Sequence, residues 1–434
     1  MNLYSKLQER ALQDKPVRVG LIGAGKFCSM FLAQVPSTAG LRVSVIADLL
    51  PDRAKLACKR VGWNDDRIAA TRFVEDGSLL CASDDVDVVV DSTGSPGAGV
   101  VHALAAIEYG KHIVMVNVEA DVLAGPALAA RARKAGVVYS MAYGDQPALI
   151  SEMVDWARAA GFIVQAAGKG TKYLPGYNLV TPDDVWKHYG ITAESAEAAG
   201  MNSQMFNSFL DGTKSAIEMA AVANSCALNV PDDGLSFLPC GVDDLSRTLR
   251  PVSAGGQLAG EGMVEVISSM ERDGRPVFRD LRWGVYVVLK APNDYSAACF
   301  AQYGLPVHST GQYAAMYKPF HLIGMELGIS ILSAALRHEP TGHSRQFRGD
   351  AVATAKRNLA PGDMLDGEGG YTVWGKLMPA ARSVEARALP IGLAHGVKVT
   401  KPIKVGEIIS RDAVEALPDN PALRLRLETQ AMAG

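Results

Sequence analysis

One pattern dominates the first 150 residues: short apolar runs stop at glycines or polar loops and are followed by segments with helical spacing. Apolar strands that alternate with amphipathic helices are typical of βαβ units, in which each strand of a parallel sheet is covered on both faces. Pro51 and Pro126 stand at the predicted starts of two helices, where a first-turn proline is favourable. The pattern predicts a doubly wound parallel sheet, with strands at 17–22, 41–47, 86–90 and 112–116 and helices at 27–35, 51–61, 97–109 and 126–135.

The turn after the first strand reads Gly23-Ala-Gly25-Lys26-Phe27-Cys28. In a strand-turn-helix context, the first glycine permits a tight turn and the second lets a pyrophosphate approach the backbone at the helix N-terminus. Cys28 is small enough to keep the helix close to the strand. This glycine turn predicts a Rossmann dinucleotide-binding domain, and a tight turn without any ligand is the alternative.

Three further positions complete the predicted cofactor site. Asp48 ends the second predicted strand, where a carboxylate accepts hydrogen bonds from the adenosine ribose, so NAD(P) is the expected cofactor and NAD is favoured. Arg53 can partly compensate a 2′-phosphate, and an N-cap on the following helix is the alternative role for Asp48. The loops that follow the next two strands should flank the nicotinamide, and they contain Thr93, Gly94 and Asn117.

Motifs along the rest of the chain resemble the homoserine-dehydrogenase-like oxidoreductases that carry a C-terminal SAF domain. They are GLIGAGKF, GKHIVMVNVEADVLAGP at 110–126, AGKG at 167–170, DGTKSAIEMAAVAN at 211–224 and YKPFHL at 317–322. The deoxyxylulose-phosphate-reductoisomerase-like branch of this family carries out an NADPH-dependent rearrangement and reduction in isoprenoid synthesis. That branch has arginines after its second strand, and Arg and Tyr where this chain has Lys318 and Phe320.

The resemblance and the pattern together give an α/β fold class with three predicted domains. Residues 1–150 form the Rossmann domain, and residues 151–345 form an α+β catalytic and dimerisation domain. Residues 346–434 form a small β-rich, SAF-like domain, in which Pro-Gly and Val-Gly turns follow short alternating runs.

Six residues are predicted to act on the substrate. Lys169 follows an apolar strand at 162–167 and can bind an anion or transfer a proton, with a solvated turn as its alternative. Lys318 precedes a proline and can hold an anionic group. Because both lysines stand at predicted element ends, we expect them to act on the substrate and not on the fold. The loop carboxylates Glu119 and Asp145 can bind a substrate hydroxyl or a divalent cation, and a metal is left open.

The other two candidates lie on predicted helices. Asn224 shares an apolar face of a helix at 208–228 and needs a buried partner, with helix C-capping as the alternative. In the same helix, Lys214 and Glu218 are four residues apart and can form a surface pair. His321 opens a predicted apolar helix at 322–336 and can titrate near neutral pH, although a core histidine is the commoner outcome.

Composition narrows the class of protein further. A hydrophobic fraction of 48% with 21% charged residues is that of a globular protein, and 43 basic against 46 acidic residues give no overall attraction to nucleic acid. No apolar run is long enough to span a membrane, and residues 1–16 contain no export signal, so a cytoplasmic protein is expected. The six cysteines form no paired motif and are expected to be reduced thiols.

The sequence thus predicts an NAD(P)-dependent oxidoreductase, which moves a hydride to or from a small polyhydroxylated substrate resembling a sugar acid or sugar phosphate, with or without isomerisation. A homo-oligomer, dimeric or higher, is expected. Three alternatives stay open: a deoxyxylulose 5-phosphate reductoisomerase-like enzyme, a homoserine dehydrogenase, and a non-catalytic dinucleotide-binding sensor.

Overall fold

A computed structural model describes residues 2–433 of the chain. Its strands are β1 (Val17–Ile22), β2 (Leu41–Ala47), β3 (Arg72–Val74), β4 (Val88–Asp91), β5 (His112–Met115), β6 (Tyr139–Met141), β7 (Ile163–Thr171), β8 (Leu238–Pro239), β9 (Met263–Ser268), β10 (Val285–Lys290), β11 (Tyr313–Lys318), β12 (Gly349–Ala355), β13 (Met364–Asp366), β14 (Val373–Pro379) and β15 (His395–Lys398).

The α-helices are α1 (Leu3–Leu12), α2 (Lys26–Gln34), α3 (Pro51–Arg60), α4 (Asp65–Ala69), α5 (Gly77–Cys81), α6 (Pro96–Glu108), α7 (Val118–Lys134), α8 (Gln146–Ala159), α9 (Val185–Tyr189), α10 (Ala193–Ala198), α11 (Ser203–Leu210), α12 (Thr213–Cys226), α13 (Leu245–Thr248), α14 (Asp294–Gln302), α15 (Gly328–Arg337), α16 (Ala380–Glu385) and α17 (Pro421–Gln430). None of these helices in residues 2–433 has the length and hydropathy that a bilayer crossing requires.

The chain divides into two compact units. Unit 1 contains the residues up to Glu152, together with His321–Arg345 and Asn420–Thr429. Unit 2 contains Met153–Phe320, Gln346–Asp419 and the residues from Gln430 onward. One unit boundary falls between 345 and 346, where a domain boundary was predicted. The segment 321–345, which includes α15, nevertheless belongs to unit 1, and the segment 346–419 belongs to unit 2.

Unit 1 is built on a six-stranded parallel sheet in the order β3-β2-β1-β4-β5-β6. This is the doubly wound Rossmann order, so the predicted fold class is confirmed for this part of the chain. The strands are buried because helices cover both faces of the sheet, and Ile331 and Leu332 of α15 join its core. The reversal of strand order beside β1 places the ends of β1 and β4 next to each other.

One predicted helix start in unit 1 is wrong. Pro126 lies inside α7, which begins eight residues earlier at Val118. The side chain of Asn117 accepts a hydrogen bond from the backbone N–H of Ala120 at 3.0 Å and caps this earlier start. A proline in the helix interior removes one backbone hydrogen bond, and its ring crowds the carbonyl four residues earlier. The burial of the apolar residues of α7 outweighs that cost.

Unit 2 contains a mixed five-stranded sheet in the order β11-β10-β7-β9-β8. Its strand β10 runs antiparallel to β7 and β11, whereas β9 runs parallel to β7 and β8. The helix predicted at 208–228 is broken in two, because Gly212 has φ +89° and ends α11 before α12 begins. Helix α12 is buried along nearly its whole length.

The segment at 346–419 is rich in short strands, as predicted. It forms two antiparallel pairs, β12 with β14 and β13 with β15. Both pairs belong to unit 2, and helix α12 packs against β12 and β14. The segment therefore helps to bury α12 from the side opposite the five-stranded sheet.

Candidate functional site

The glycine turn has the geometry that a pyrophosphate requires. Gly23 adopts φ +90°, and its N–H donates to the carbonyl of Ala47 at 2.8 Å. Gly25 precedes the first residue of α2, and a Cβ added to it meets no atom within 4 Å. The N-cap residue of this helix is Gly25 itself, which has no side chain to cap the first turn. Its open backbone amides, next to a glycine without a side chain, leave room for a phosphate group.

The other residues of the turn hold it in place. Cys28 is fully buried, its Sγ lies 2.7 Å from Ser92 Oγ, and burial raises the pKa of its thiol to about 12. Ser92 also lies 2.8 Å and 3.0 Å from the carbonyl oxygens of Ile22 and Gly23. Phe27 packs against the core, whereas Lys26 is exposed. Cys28 is a packing residue, and Ser92 is a turn-fixing residue that the sequence did not predict.

Asp48 lies at the end of β2 next to the glycine turn. Its Oδ2 accepts a hydrogen bond from Ala24 N–H at 2.9 Å, and its Oδ1 accepts from Leu50 N–H at 2.9 Å. Arg53 Nη2 lies 3.0 Å from both oxygens. Burial raises the pKa of Asp48, but the two N–H groups and Arg53 outweigh that effect and hold the pKa below its usual value. Leu50, and not Asp48, is the N-cap residue of α3.

The loop after β4 is fixed by the buried Asp91. Its Oδ1 accepts from Thr93 Oγ1 at 2.9 Å, and its Oδ2 lies 2.6 Å from His102 Nδ1. Asn117 donates to Asp91 at 3.3 Å and to the Ser95 carbonyl at 2.8 Å while it caps α7. Asn117 and Thr93 thus support the loop from beneath, whereas Gly94 is exposed.

Three of the predicted substrate residues lie in unit 1. Asp145 is buried, and its Oδ1 accepts from Gln146 N–H at 3.0 Å. Glu119 lies in the first turn of α7, and not in a loop. His321 does not open a helix as predicted. It precedes a turn, and the helix expected from 322 begins only at Gly328. A Cβ on Gly144 would lie 2.8 Å from the Leu322 carbonyl, so the turns that carry Asp145 and His321 approach each other.

The other three candidates lie in unit 2, where Lys169 is the best defined. Lys169 sits inside β7, and not at a strand end as predicted, because the strand continues to Thr171. Its ammonium forms an ion pair with Glu218 of α12, and the two side chains are 7% and 3% exposed. Glu218 is therefore buried, and its predicted position on the surface is wrong. The sequence contained a sign of this burial, since Glu218 falls on the apolar side of its helix.

Lys169 and Lys318 share one face of the five-stranded sheet. Val285 of β10 pairs with Lys169 on one side and with Lys318 on the other. Directly paired residues in a sheet point to the same face, so the two lysines flank Val285. Lys318 Nζ lies 5.3 Å from the ring centre of Phe320.

The positions immediately before and after Lys169 must be glycine, because other backbone segments approach them closely. A Cβ on Gly168 would lie 1.8 Å from the Glu265 carbonyl oxygen. A Cβ on Gly170 would lie 1.9 Å from the Leu281 carbonyl oxygen. The sequence Gly168-Lys169-Gly170 therefore describes a tightly packed strand and not a flexible turn.

Asn224 is fully buried and has the hydrogen-bond partners that its place on an apolar helix face was predicted to require. Its Oδ1 accepts hydrogen bonds from the N–H groups of Arg348 and Gly349 at 2.7 Å and 2.9 Å, and its Nδ2 donates to the Gly349 carbonyl at 3.1 Å. These bonds fix the start of β12 on α12. The structure therefore gives Asn224 neither a C-capping nor a substrate-binding arrangement.

A second buried ion pair in unit 2 was missed. Lys356 Nζ lies 2.8 Å from Asp211 Oδ2, and both side chains are almost fully buried. The same ammonium donates to the carbonyls of Val180 and Gly370 at 2.8 Å each. Lys356 thus ties three segments together at the start of α12.

The remaining site chemistry is simple. All six cysteines are free thiols, as predicted. Residues 2–433 contain no group of three or more His, Cys, Asp or Glu side chains arranged to hold a metal ion.

Comparison with known proteins gives a family match for part of the chain. Residues 144–327, less than half of the chain, match the family model described as "Oxidoreductase DRL, catalytic domain". Homoserine dehydrogenase of Neisseria gonorrhoeae (strain ATCC 700825 / FA 1090) is 34% identical over 112 residues, which is 24% of this chain and 23% of that protein. The chain therefore matches less than a quarter of the length of this relative.

Solved structures give partial matches at low identity. An oxidoreductase domain protein from Kribbella flavida is 20% identical with a TM-score of 0.27, over 36% of this chain and 43% of that chain. KijD10, a 3-ketoreductase from Actinomadura kijaniata in complex with NADP and TDP-benzene, is 21% identical with a TM-score of 0.26, over 37% of this chain and 48% of that chain. The family match is thus the informative result, and it identifies residues 144–327 as similar to an oxidoreductase catalytic domain.

Proposed function

We propose that the protein is an NAD(P)-dependent oxidoreductase that transfers a hydride to or from a small polyhydroxylated substrate. The observation that carries the proposal is the open glycine turn, in which Gly25 leaves space at the uncapped N-terminus of α2. A pyrophosphate needs this combination of free amide donors and space. The match of residues 144–327 to an oxidoreductase catalytic domain supports the same proposal.

The residues of unit 1 fit a dinucleotide. The α2 amides and Gly25 would hold the pyrophosphate, Asp48 would bind the adenosine ribose, and the exposed Gly94 would border the nicotinamide. When bound, the nicotinamide supplies or accepts the hydride. Ser92 and Asp91 keep these loops in place through the hydrogen bonds described above.

In unit 2 we assign the substrate to the face of the sheet that carries Lys169 and Lys318. The Lys169 ammonium would donate a hydrogen bond, and a proton when needed, to the substrate oxygen that gains charge during reduction. Glu218 would orient that ammonium and is a positioning residue. Lys318 would bind an anionic group or a hydroxyl of the substrate.

The proposed cofactor preference is NAD. A carboxylate has about four acceptor positions, and the contacts of Ala24, Leu50 and Arg53 occupy them at Asp48. A ribose hydroxyl must therefore replace Arg53, which is easily displaced because its side chain is 60% exposed. A 2′-phosphate would be repelled by Asp48 and attracted by Arg53, so these two residues determine the preference between NAD and NADP.

Calorimetric titration with NAD and NADP tests the cofactor site. Gly25→Val should abolish binding of both dinucleotides while the circular dichroism spectrum is retained, because the new side chain occupies the phosphate position. Arg53→Ala should weaken NADP binding by at least about fivefold and leave NAD binding equal or tighter. Wild-type affinity in a folded Gly25→Val protein would refute the site. A wild-type preference for NADP of at least about tenfold would refute the role of Asp48.

Turnover separates the remaining possibilities. A panel of sugar acids, sugar phosphates, deoxyxylulose 5-phosphate and homoserine, assayed through the absorbance of reduced nicotinamide with each cofactor, tests the substrate class. Reduction with rearrangement of deoxyxylulose 5-phosphate would select the reductoisomerase alternative. Dinucleotide binding without turnover of any compound would favour the sensor alternative.

Homoserine dehydrogenase activity is the second candidate. It is favoured by the 34% identity over 112 residues to the Neisseria gonorrhoeae enzyme. Oxidation of homoserine that is at least about tenfold faster than that of any sugar acid in the same panel would establish this activity in place of the first.

A further inference from the structure

A pair of cations near the end of β7 has no role in the fold described above. Lys172 follows the last residue of β7, and Arg282 lies in the turn before β10. The two segments are held together, since Gly170 N–H donates to the Gly284 carbonyl at 3.0 Å. A Cβ on Gly170 would lie 2.9 Å from the backbone nitrogen of Arg282. The fold thus requires two like charges to share one end of the sheet.

Neither charge is neutralised by the protein. In the described chain, no carboxylate oxygen lies within 4 Å of the Lys172 ammonium or of the Arg282 guanidinium. The ammonium donates to the backbone carbonyl of His188, and the guanidinium lies 4.7 Å from the ring centre of Trp283. Both side chains are half-buried.

The carboxylates on neighbouring segments are engaged elsewhere. Asp211 pairs with Lys356, and Asp184 pairs with Lys187. Asp280 accepts a hydrogen bond from the backbone N–H of Arg282 at 2.8 Å.

The electrostatic effect of this arrangement is visible in its neighbours. Burial and then the charge of Arg282 lower the pKa of Lys172. Burial also lowers the pKa of His188, and the charge of Lys172 lowers it further. Burial raises the pKa of Tyr177 and of Tyr189, and the charge of Arg282 lowers both in part. Two half-buried cations that repel each other, among tyrosine and histidine side chains, form a strong electrostatic site for an anion.

We propose that Lys172 and Arg282 form an anion subsite that binds the carboxylate or phosphate group of the substrate. The substrate assignment depends on the proposed function and narrows it to sugar acids or sugar phosphates. Lys172 lies one residue beyond the end of β7 and three residues after Lys169, so the subsite belongs to the same end of the strand. A carboxylate and a phosphate both present anionic oxygens, which accept hydrogen bonds from the Lys172 ammonium and the Arg282 guanidinium.

The test is a calorimetric titration of the full-length protein at constant ionic strength, with inorganic phosphate in one arm and glycolate in the other. The Gly25→Val background prevents phosphate from binding at the glycine turn. Lys172→Met and Arg282→Met should each weaken binding of the preferred anion by at least about tenfold, because each removes a charge-assisted hydrogen bond. The stronger of the two arms identifies the anionic group.

Matched controls separate loss of the subsite from loss of the fold. Arg275→Met removes an exposed guanidinium from the same β9–β10 connection, where it pairs with Asp273, and should change affinity less than about twofold. Lys172→Arg keeps the charge and should retain binding. Failure of the Gly25→Val protein to bind either anion, or equal affinity in that protein and in its two methionine variants, would overturn the subsite. Anion binding in the Gly25→Val protein, together with absence of NAD and NADP binding in the wild type, would instead overturn the proposed function alone.

Discussion

Because Lys169 is buried in an ion pair, the expectation that it acts only on the substrate no longer holds, and its replacement by methionine should destabilise unit 2 as well as impair turnover. Methionine retains most of the apolar stem but removes the ammonium, so Glu218 is left 3% exposed without its partner. Removal of one member of a buried ion pair costs about 3–5 kcal/mol, because the remaining charge is desolvated and uncompensated. We expect the free energy of unfolding of Lys169→Met to fall by that amount at pH 7.

The second variant in this experiment is Lys169→Met with Glu218→Gln. It removes both charges, so it should recover at least about 2 kcal/mol relative to Lys169→Met. A matched surface control is Lys187→Met, which removes a lysine that is 77% exposed and paired with Asp184. That control should leave the urea midpoint close to the wild-type value.

Urea denaturation followed by circular dichroism measures these differences, with the m-value compared between variants. A loss below about 1 kcal/mol in Lys169→Met would refute the assignment of a buried ion pair.

Two further predictions concern the fold around the sites. Burial raises the pKa of Asp121 to about 6 from 3.8, although the hydroxyls of Ser344 and Tyr139 lower it in part. Between these values the folded protein holds a proton that the unfolded chain has released, so the free energy of unfolding falls by about 3 kcal/mol as the pH rises through this window. Asp121→Asn should remove that dependence, and urea titrations at pH 4 and pH 7 that show the wild-type difference in the variant would contradict it. Asn224→Ala should cost about 2–3 kcal/mol in urea denaturation, because the N–H groups of Arg348 and Gly349 lose a buried acceptor, and a cost below about 1 kcal/mol would exclude this role.

The cofactor half of the proposed site was largely predictable from sequence. A strand, a glycine turn and a helix are local features, since a glycine at positive φ and a helix N-terminus depend on neighbouring residues only. Gly23, Gly25 and Asp48 therefore appeared at the expected ends of β1 and β2. Residues that support the turn from another strand, such as Ser92, could not be found this way because their partners are about 70 positions distant.

The substrate half depended on tertiary contacts at nearly every point. Asn224 was noticed as a buried amide, but its partners at 348 and 349 come from a segment more than 120 residues later. Lys172 and Arg282 come close to each other only because the turn before β10 packs against Gly170.

The doubly wound sheet and the position of its glycine turn could be inferred without the structure, because hydrophobic periodicity and glycine conformation act over a few residues. Which charges are buried, paired or uncompensated depends instead on contacts between distant segments. Lys169 illustrates the difference: a solvated turn was its alternative role, yet the glycines on either side of it lie in a strand packed so tightly that neither position has room for a side chain. The burial of that strand under α12 sets the environment of the ammonium, and burial is a property of packing between distant segments that local sequence does not encode.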